Sequence, residues 1–418
     1  MAEQSRELDI VVYGATGFVG KLTAQYLARA GAQARIGLAG RSAERLAAVR
    51  DGLGGVARDW PILIADATAP ATLATLAERT RVVISTVGPY TRYGLPLVAA
   101  CAAAGTDYAD LTGEALFIRD SIDLHHKQAV DTGARIVHSC GFDSIPSDLS
   151  VYALYRQAHL DDAGQLLDTD FVLREAAGGL SGGTIASMAE VLRVASGDPE
   201  ARRLLNDPYT LSGDRAAEPD LGPQPDLPLR RGAEIAPELA GIWTGGFAMA
   251  VINTRIVRRS NMLLEWAYGR RLRYAEHMSV GSSVAAPALA GLLTAAGNAT
   301  VGLGSRYFGL LPERLVQRLM PKSGSGPSAQ RRQRGHYRVE TYATTTSGAR
   351  YRVTMAQRGD PGYQATSVLL GESGMAMALD RSRLSGLRGV LTPAAAMGEA
   401  LLDRLPAAGV TLQVDKLS

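Results

Sequence analysis

Three glycines at regular spacing follow the first apolar segment of the sequence. Gly14, Gly17 and Gly20 come directly after the stretch DIVVY and open an alanine-rich helical pattern. Here the first glycine permits a sharp turn and the second lets the backbone approach a pyrophosphate, which the helix amides would face. The third lets helix and strand pack closely, so the spacing predicts a dinucleotide-binding turn. The other residues assigned to this turn are Thr16, Phe18 and Val19.

The residues after the second predicted strand favour NADPH over NADH. In an NAD enzyme an acidic side chain about 20 positions beyond the glycines holds the ribose 2′-hydroxyl. Here the segment LAGRS places Arg41 and Ser42 at that point. A guanidinium group suits a 2′-phosphate, which a carboxylate would repel. Asp66, after the third strand, either contacts the adenine or caps the next helix.

The fourth predicted strand ends where open α/β sheets place their ligands. Its last residues, Thr86, Val87 and Gly88, are therefore expected to run beside the cofactor. Tyr90 and Tyr93 follow directly, and a phenolic hydroxyl at this point could donate a proton near the nicotinamide. Tyr90 could instead stack on the cofactor.

Further candidate proton donors surround the sixth predicted strand. Asp143 is assigned a catalytic role together with the two tyrosines, and His138 and Cys140 lie close to it in the sequence. Each has a structural alternative, because Asp143 could cap a turn before Pro146 and His138 could be a hydrogen-bonded core residue. No H-E-x-x-H, C-x-x-C or G-x-S-x-G spacing occurs, so neither a metal site nor a serine nucleophile is expected.

The elements that position these residues predict an α/β fold. Residues 1–148 alternate strand and helix patterns bounded by Gly and Pro, which is typical of a Rossmann-type, doubly wound parallel sheet. Residues 149–370 predict a second, mixed α/β domain with a linker at about 322–335. In that domain HYRVETYATTTSGARYRVTMAQ predicts an antiparallel hairpin, and GGLSGGT at 178–184 either holds an anionic group at a helix start or is a plain helix entry. Helices in residues 371–418 are expected to pack back on the first domain.

Residues 278–305 contain no charged side chain. The stretch is long enough to span a membrane, but Gly, Ser, Asn and a proline dilute its apolar character. We interpret it as a pair of buried helices of small residues that line a cavity. Contact with a lipid surface or a lipid-like substrate stays open as the alternative.

The charge balance and the cysteines exclude other classes of protein. The formal net charge is +3, from 44 basic and 41 acidic residues, so nucleic acid is not an expected partner. The basic cluster Arg331, Arg332 and Arg334 is assigned to a solvated loop. Cys101 and Cys140 cannot form a disulfide framework, and the polar N-terminus shows no secretion signal. The sequence predicts a cytoplasmic protein, with peripheral contact at the inner membrane left open.

Five segments occur together in one known family. They are VVYGATGFVGKLTAQYLA, LAGRS, VISTVGPYTRYGLPLVAACAAAGTDYADLTGE, CGFDSIPSDL and SGGTIASM. Together they resemble the saccharopine dehydrogenase-like family, and within it the mycobacterial branch of trans-acting enoyl reductases. The resemblance implies a Rossmann domain, a second α/β domain and NADPH. The sequence departs from saccharopine enzymes at GFDS, because Ser144 follows Asp143 where those enzymes carry Pro-Gly, and this puts amino-acid recognition in doubt.

The resemblance also implies a reaction and its partners. An enoyl reductase of this branch reduces a carbon–carbon double bond in a polyketide-derived acyl chain whose synthase lacks its own reductase. The products would be phthiocerol-type and phenolphthiocerol-type cell-envelope lipids, including phenolic glycolipids. The expected partners are a carrier-bound acyl chain and a polyketide synthase bound transiently, and the sequence leaves open whether the chain forms a homo-oligomer. Two alternatives remain: a dehydrogenase of an amino acid or other small carbonyl compound, and a non-catalytic NADP(H)-binding, lipid-associated scaffold.

Overall fold

The computed structural model describes residues 6–31, 33–179, 181–312 and 326–418, which form two seven-stranded sheets with their helices. The strands, in chain order, are β1 (Leu8–Tyr13), β2 (Ile36–Gly40), β3 (Ile62–Ile64), β4 (Thr80–Ser85), β5 (Asp107–Asp110), β6 (Arg135–Val137), β7 (Leu166–Ala177), β8 (Arg230–Arg231), β9 (Trp243–Gly246), β10 (Arg273–Gly281), β11 (His336–Thr345), β12 (Arg350–Arg358), β13 (Gly389–Leu391) and β14 (Val410–Lys416). The α-helices are α1 (Phe18–Ala30), α2 (Ala43–Gly52), α3 (Pro70–Arg79), α4 (Tyr90–Tyr93), α5 (Leu95–Ala104), α6 (Ala115–Thr132), α7 (Ile145–Leu160), α8 (Gly182–Gly197), α9 (Pro199–Asn206), α10 (Gly232–Ile235), α11 (Ala250–Leu263), α12 (Ala286–Tyr307), α13 (Ala329–Arg334), α14 (Thr366–Leu379) and α15 (Pro393–Arg404).

The first sheet is parallel throughout and has the order β13-β6-β5-β4-β1-β2-β3. Every residue of the central strand β1 is buried, as expected for a strand covered by helices on both faces. Helix α5 packs between α3 and α6, while α1 packs against α14. This arrangement confirms the predicted Rossmann-type doubly wound sheet.

The second sheet is mixed and has the order β14-β12-β11-β7-β10-β9-β8. Strands β7 and β10 run parallel, whereas the other neighbours are antiparallel. The predicted hairpin is β11-β12, and its turn includes Gly348 at φ +86°. Glycine suits this turn because residues with a side chain rarely adopt a positive φ. The second mixed sheet agrees with the predicted fold class.

The last residues of the chain contribute to both sheets. Helix α14 packs on α1 and on strands β1, β4 and β5, and β13 extends the parallel sheet beside β6. Strand β14 instead forms an edge of the second sheet beside β12. The predicted domain limits, including the C-terminal segment 371–418, stay a prediction. The first part of the predicted linker, 322–325, lies outside the described residues, and the basic cluster that follows lies on α13.

The structure of the uncharged stretch 278–305 differs from the predicted pair of buried helices. It holds the end of β10 and one helix, α12, most of which is not buried. Pro287 lies in the first turn of α12, where proline starts a helix and does not break one. Among the described residues, the segment Ala286–Leu310 is long and apolar enough to span a membrane. A stretch of 18 residues within it has a mean hydropathy of 1.2, and 17% of that stretch is buried.

Candidate active site

The glycine turn between β1 and α1 has no room for a side chain at Gly14 or at Gly20. Gly14 adopts φ +86°, and a Cβ atom there would lie 2.7 Å from Val87 Cγ2. A Cβ atom on Gly20 would lie 2.2 Å from the carbonyl oxygen of Gly14. Gly17 is the N-cap of α1 and offers no side chain to the first helix amides. These amides have no carbonyl partner within the helix, so the turn fits the pyrophosphate of NADPH.

The residues assigned to the adenosine end follow β2 and β3. Arg41 is exposed directly after β2, where its guanidinium group could bind a 2′-phosphate. Ser42 caps α2, because its hydroxyl accepts a hydrogen bond from the Arg45 amide at 3.3 Å. Asp66 accepts hydrogen bonds from the amide and the hydroxyl of Thr68, each at 2.9 Å. The Thr68 bonds lower the pKa of Asp66, and Arg41 adds to this effect. The cofactor contacts of these residues stay predictions.

The end of β4 lies against the glycine turn. The Thr86 hydroxyl is 3.2 Å from the carbonyl oxygens of both Tyr13 and Gly14. Thr86 and Gly88 line the same cavity as Gly17. The structure thus brings the predicted turn and the predicted end of the fourth strand together.

A cavity of about 480 Å³ extends from the glycine turn into the second half of the molecule. It begins at Gly17, Phe18 and Val19 and continues between α8, α11 and α12. The apolar side chains along it include Met188, Val191, Leu192, Met249, Ile252 and Val301. Among the lining residues that the structure describes, Asp143 alone is charged. The cavity can therefore hold an elongated apolar group next to one carboxyl.

Asp143 is only partly exposed at the cavity wall. Burial raises the pKa of this carboxyl to about 6, although a hydrogen bond with Thr184 lowers it somewhat. Thr184 lies 2.9 Å from the Ser181 hydroxyl, measured between the two oxygen atoms. A carboxyl with a raised pKa at the wall of a ligand cavity can act as a general acid near neutral pH.

The two candidate tyrosines lie in different environments. Tyr90 is buried and lines the cavity, but its hydroxyl donates to the carbonyl oxygen of Ser85 at 3.1 Å. Burial also raises its pKa. Tyr93 is 39% exposed and is not among the residues that line the cavity. Their catalytic roles stay predictions, and neither geometry favours proton donation into the cavity.

His138 and Cys140 belong to the core of the first sheet. His138 Nδ1 lies 2.7 Å from Asp110 Oδ2, and its Nε2 lies 2.9 Å from the Ser121 hydroxyl. The side chains of His138, Asp110 and Ser121 are fully buried. Burial also raises the pKa of the Cys140 thiol. Because both ring nitrogens of His138 have buried partners, the geometry favours the structural alternative for this histidine.

Glu114 was not identified from the sequence, yet it connects the two halves of the molecule. Its buried carboxylate accepts the amides of Tyr90 and Thr91 at 2.9 and 2.8 Å. It also accepts the hydroxyls of Thr91 and Ser187, each at 2.5 Å. Ser187 lies on α8, so one carboxylate joins α4 to the second half of the molecule. No spacing rule distinguishes such a glutamate from a solvated one.

The start of α8 is capped by protein groups. The Ser181 hydroxyl accepts the Thr184 amide at 2.9 Å, and the Gly182 amide donates to the Tyr363 hydroxyl at 2.9 Å. The Tyr363 ring meets Phe18 edge to face, with ring centroids 4.9 Å apart. Of the segment 178–184, residues 181–184 form a capped helix entry in the cavity wall, while residue 180 lies outside the described residues. Tyr363 is a second wall residue that sequence patterns did not reveal.

We expect Gly20→Ala to abolish NADPH binding, because the new Cβ atom would collide with the Gly14 carbonyl and open the turn. Fluorescence titration with NADPH measures the effect. Gly52→Ala is the matched control, since nothing lies within 4 Å of a Cβ atom there. Unchanged affinity in Gly20→Ala would contradict this account of the turn.

We expect Arg41→Ala to reduce the preference for NADPH over NADH by about tenfold or more, since a hydrogen bond to a charged group contributes about 1.5–3 kcal/mol. Dissociation constants for both cofactors give the ratio. Arg50→Ala, at the other end of α2, should leave the ratio unchanged. An unaltered preference in Arg41→Ala would place the 2′-phosphate elsewhere.

Comparison with known proteins shows the family of this chain. The family model described as the saccharopine dehydrogenase NADP binding domain matches residues 10–137. The trans-acting enoyl reductase of Mycobacterium bovis (strain BCG / Pasteur 1173P2) is 63% identical over 419 residues, and that of Mycobacterium ulcerans (strain Agy99) is 62% identical over 418 residues. A Mycobacterium tuberculosis (strain H37Rv) protein that carries this name provisionally is 69% identical over 418 residues. Each alignment covers 100% of both chains.

A solved structure supports the fold independently. The saccharopine dehydrogenase (L-Glu forming) of Saccharomyces cerevisiae superposes with a TM-score of 0.53 and covers 98% of this chain and 99% of its own, at 12% identity. At that identity the likeness shows the fold alone. The predicted family, cofactor and enzyme class are confirmed by the close relatives together with the NADP-binding domain. The chain therefore belongs to the trans-acting enoyl reductase family, on a saccharopine dehydrogenase-like fold, and is an NADPH-dependent oxidoreductase.

Proposed function

We propose that this protein reduces the carbon–carbon double bond of a long acyl chain that is presented as a thioester. The observation that supports this proposal is the cavity, which starts at the cofactor turn and continues as an apolar space between α8, α11 and α12. An acyl chain would bury its apolar surface along these helices while its reactive end stays beside Thr86 and Gly88.

The lining of the cavity disfavours a small dicarboxylic amino acid as substrate. Carboxylates are commonly held by the paired donors of an arginine side chain. No arginine or lysine occurs among the lining residues that the structure describes. Asp143 would in addition repel a carboxylate placed next to it whenever its own carboxyl is ionised.

The reaction adds one hydride and one proton to the double bond. Bound NADPH would supply the hydride, which reaches the β-carbon, and the electron pair of the double bond moves toward the thioester carbonyl. We assign the proton that reaches the α-carbon to the Asp143 carboxyl, which then becomes a carboxylate and recovers its proton from solvent. Thr184 orients that carboxyl, and the apolar walls keep water from the reacting atoms.

The resemblance to the family supports a proposal for the substrate and its carrier. We propose that the acyl chain is a polyketide intermediate bound to a carrier domain, and that the enzyme docks transiently on a synthase that lacks its own reductase. The resemblance to the mycobacterial branch supports phthiocerol-type and phenolphthiocerol-type lipids, including phenolic glycolipids, as the products.

The proposal is tested by NADPH oxidation with a long-chain enoyl thioester on a carrier protein or a pantetheine mimic. The expected result is loss of NADPH absorbance together with a product heavier by two hydrogens. NADPH binding without turnover on any of several acyl carriers would overturn the proposal and favour a small substrate or a non-catalytic scaffold.

We expect Asp143→Asn to lower kcat by at least about a hundredfold, the size of a typical general-acid contribution. Only the protonated carboxyl donates, and its pKa lies at about 6, so the wild-type rate should fall about tenfold per pH unit above that value. In the variant the rate should lose this dependence. Asp120→Asn is the control, because burial also raises the pKa of Asp120 but it does not line the cavity. A wild-type pH profile in Asp143→Asn would exclude this carboxyl as the acid.

We expect Val301→Trp to narrow the cavity between α8 and α12 and thus to shorten the acyl chain that fits. KM for a long enoyl thioester should rise at least about tenfold, whereas KM for a four-carbon substrate should change little. Val130→Trp, on the exposed surface of α6, serves as control. Equal effects on both chain lengths would show that the chain does not pass Val301.

A further inference from the structure

One exposed face of α12 is apolar along its whole length. The exposed residues follow each other at spacings of three or four positions, which places them on a single face of the helix. They are Leu289, Leu292, Ala296, Ala299, Leu303 and Tyr307. Exposed apolar side chains also continue beyond both helix ends, with Val284 before it and Leu310 and Leu311 after it. We call this set of nine residues the apolar face.

The opposite side of α12 is bound to the rest of the protein. The Thr294 hydroxyl accepts the Gly246 amide at 2.9 Å, and the Asn298 side chain donates to the Leu227 carbonyl oxygen at 3.3 Å. Gly297 and Val301 line the active-site cavity. Because these contacts hold one side of the helix in the protein, α12 cannot cross a bilayer with lipid all around it.

We propose that the apolar face of α12 is a docking surface for the surface of a lipid bilayer that contains anionic lipids. Residues 278–312 contain no aspartate or glutamate that anionic headgroups would repel. At the end of the helix, exposed Arg306 and Tyr307 are of the types that favour the headgroup region. The helix would lie in the plane of the membrane with its leucines at the acyl boundary.

A second copy of the chain fits the apolar face less well than a bilayer. Helix pairs in water use charged residues that flank the apolar seam to fix partner and register. Residues 278–305 contain none. The apolar residues outside the helix, Val284 at one end and Leu310 at the other, would also stay uncovered by a single partner helix, whereas a lipid surface can contact both ends.

Docking in this orientation would place the outer wall of the cavity against the bilayer. Helix α12 alone separates Val301, on the cavity side, from Leu303 on the apolar face. The inference does not depend on the proposed acyl substrate, because it rests on the exterior of the helix. Its failure and that of the proposed function are therefore measured separately.

The test is flotation of the full-length protein with vesicles made of equal parts phosphatidylglycerol and phosphatidylcholine. The double variant Leu292→Glu/Leu303→Glu places two charges on side chains that are 66% and 57% exposed and do not line the cavity. The control, Leu124→Glu/Leu160→Glu, changes leucines of similar exposure, 63% and 67%, on other helices. We expect wild type and control to float, and the bound fraction of the α12 variant to fall at least about tenfold.

Two further readouts complete the test. All three proteins should keep the same NADPH affinity, which shows that the fold is intact. Equal flotation of the α12 variant and wild type would overturn the proposal. So would a wild type that does not float but sediments as a dimer that the α12 variant dissociates, because the apolar face would then join two copies. A wild type that neither floats nor self-associates would show that another part of the chain covers the face, and this also overturns the proposal.

Discussion

The active site depends on one buried carboxylate that the two halves of the molecule share. Glu114 accepts hydrogen bonds from two amides at the start of α4 and from Ser187 on α8. A buried carboxylate is tolerated only when its hydrogen bonds are satisfied, so moving α8 away would cost Glu114 the Ser187 hydroxyl, its one hydrogen bond from α8. The position of α8 relative to the end of β4, and with it the start of the apolar cavity, follows from that constraint.

The same arrangement gives the cavity one end that binds through backbone groups and one end that is apolar. At the cofactor end the backbone provides the binding groups, because glycines leave helix amides open at the turn. Farther along, side chains of α8, α11 and α12 provide apolar surface, and Asp143 lies beside Thr184 at the start of α8. The apolar surroundings that suit an acyl chain also remove water from the Asp143 carboxyl, which raises its pKa to about 6. Substrate binding and acid strength therefore have one physical origin.

The cofactor half could be predicted from the sequence because its determinants are local. Gly14, Gly17 and Gly20 lie within seven residues, and Arg41 follows the next strand. The sequence predicted that residues 278–305 line a cavity, and Gly297 and Val301 of α12 do so. The other walls could not be predicted, because α8 and α11 are distant from α12 in sequence. The role of Tyr90 could not be predicted either, because a sequence does not show the direction of a hydroxyl. In the structure the Tyr90 hydroxyl donates to a core carbonyl oxygen. For α12 composition was misleading, since small apolar residues predict burial whether or not another element covers them.

The last two strands of the sequence belong to different sheets, so both sheets gain an edge strand late in synthesis. Strand β13 ends at Leu391 and completes the parallel sheet, while β14 begins at Val410 and completes the mixed one. Each sheet lacks an edge strand until β13 or β14 has left the ribosome, so the partly made chain exposes β6 and β12 as unpaired edges. Until β13 and β14 cover them, these two edges are open to pairing with the strands of another chain, which is a route to aggregation.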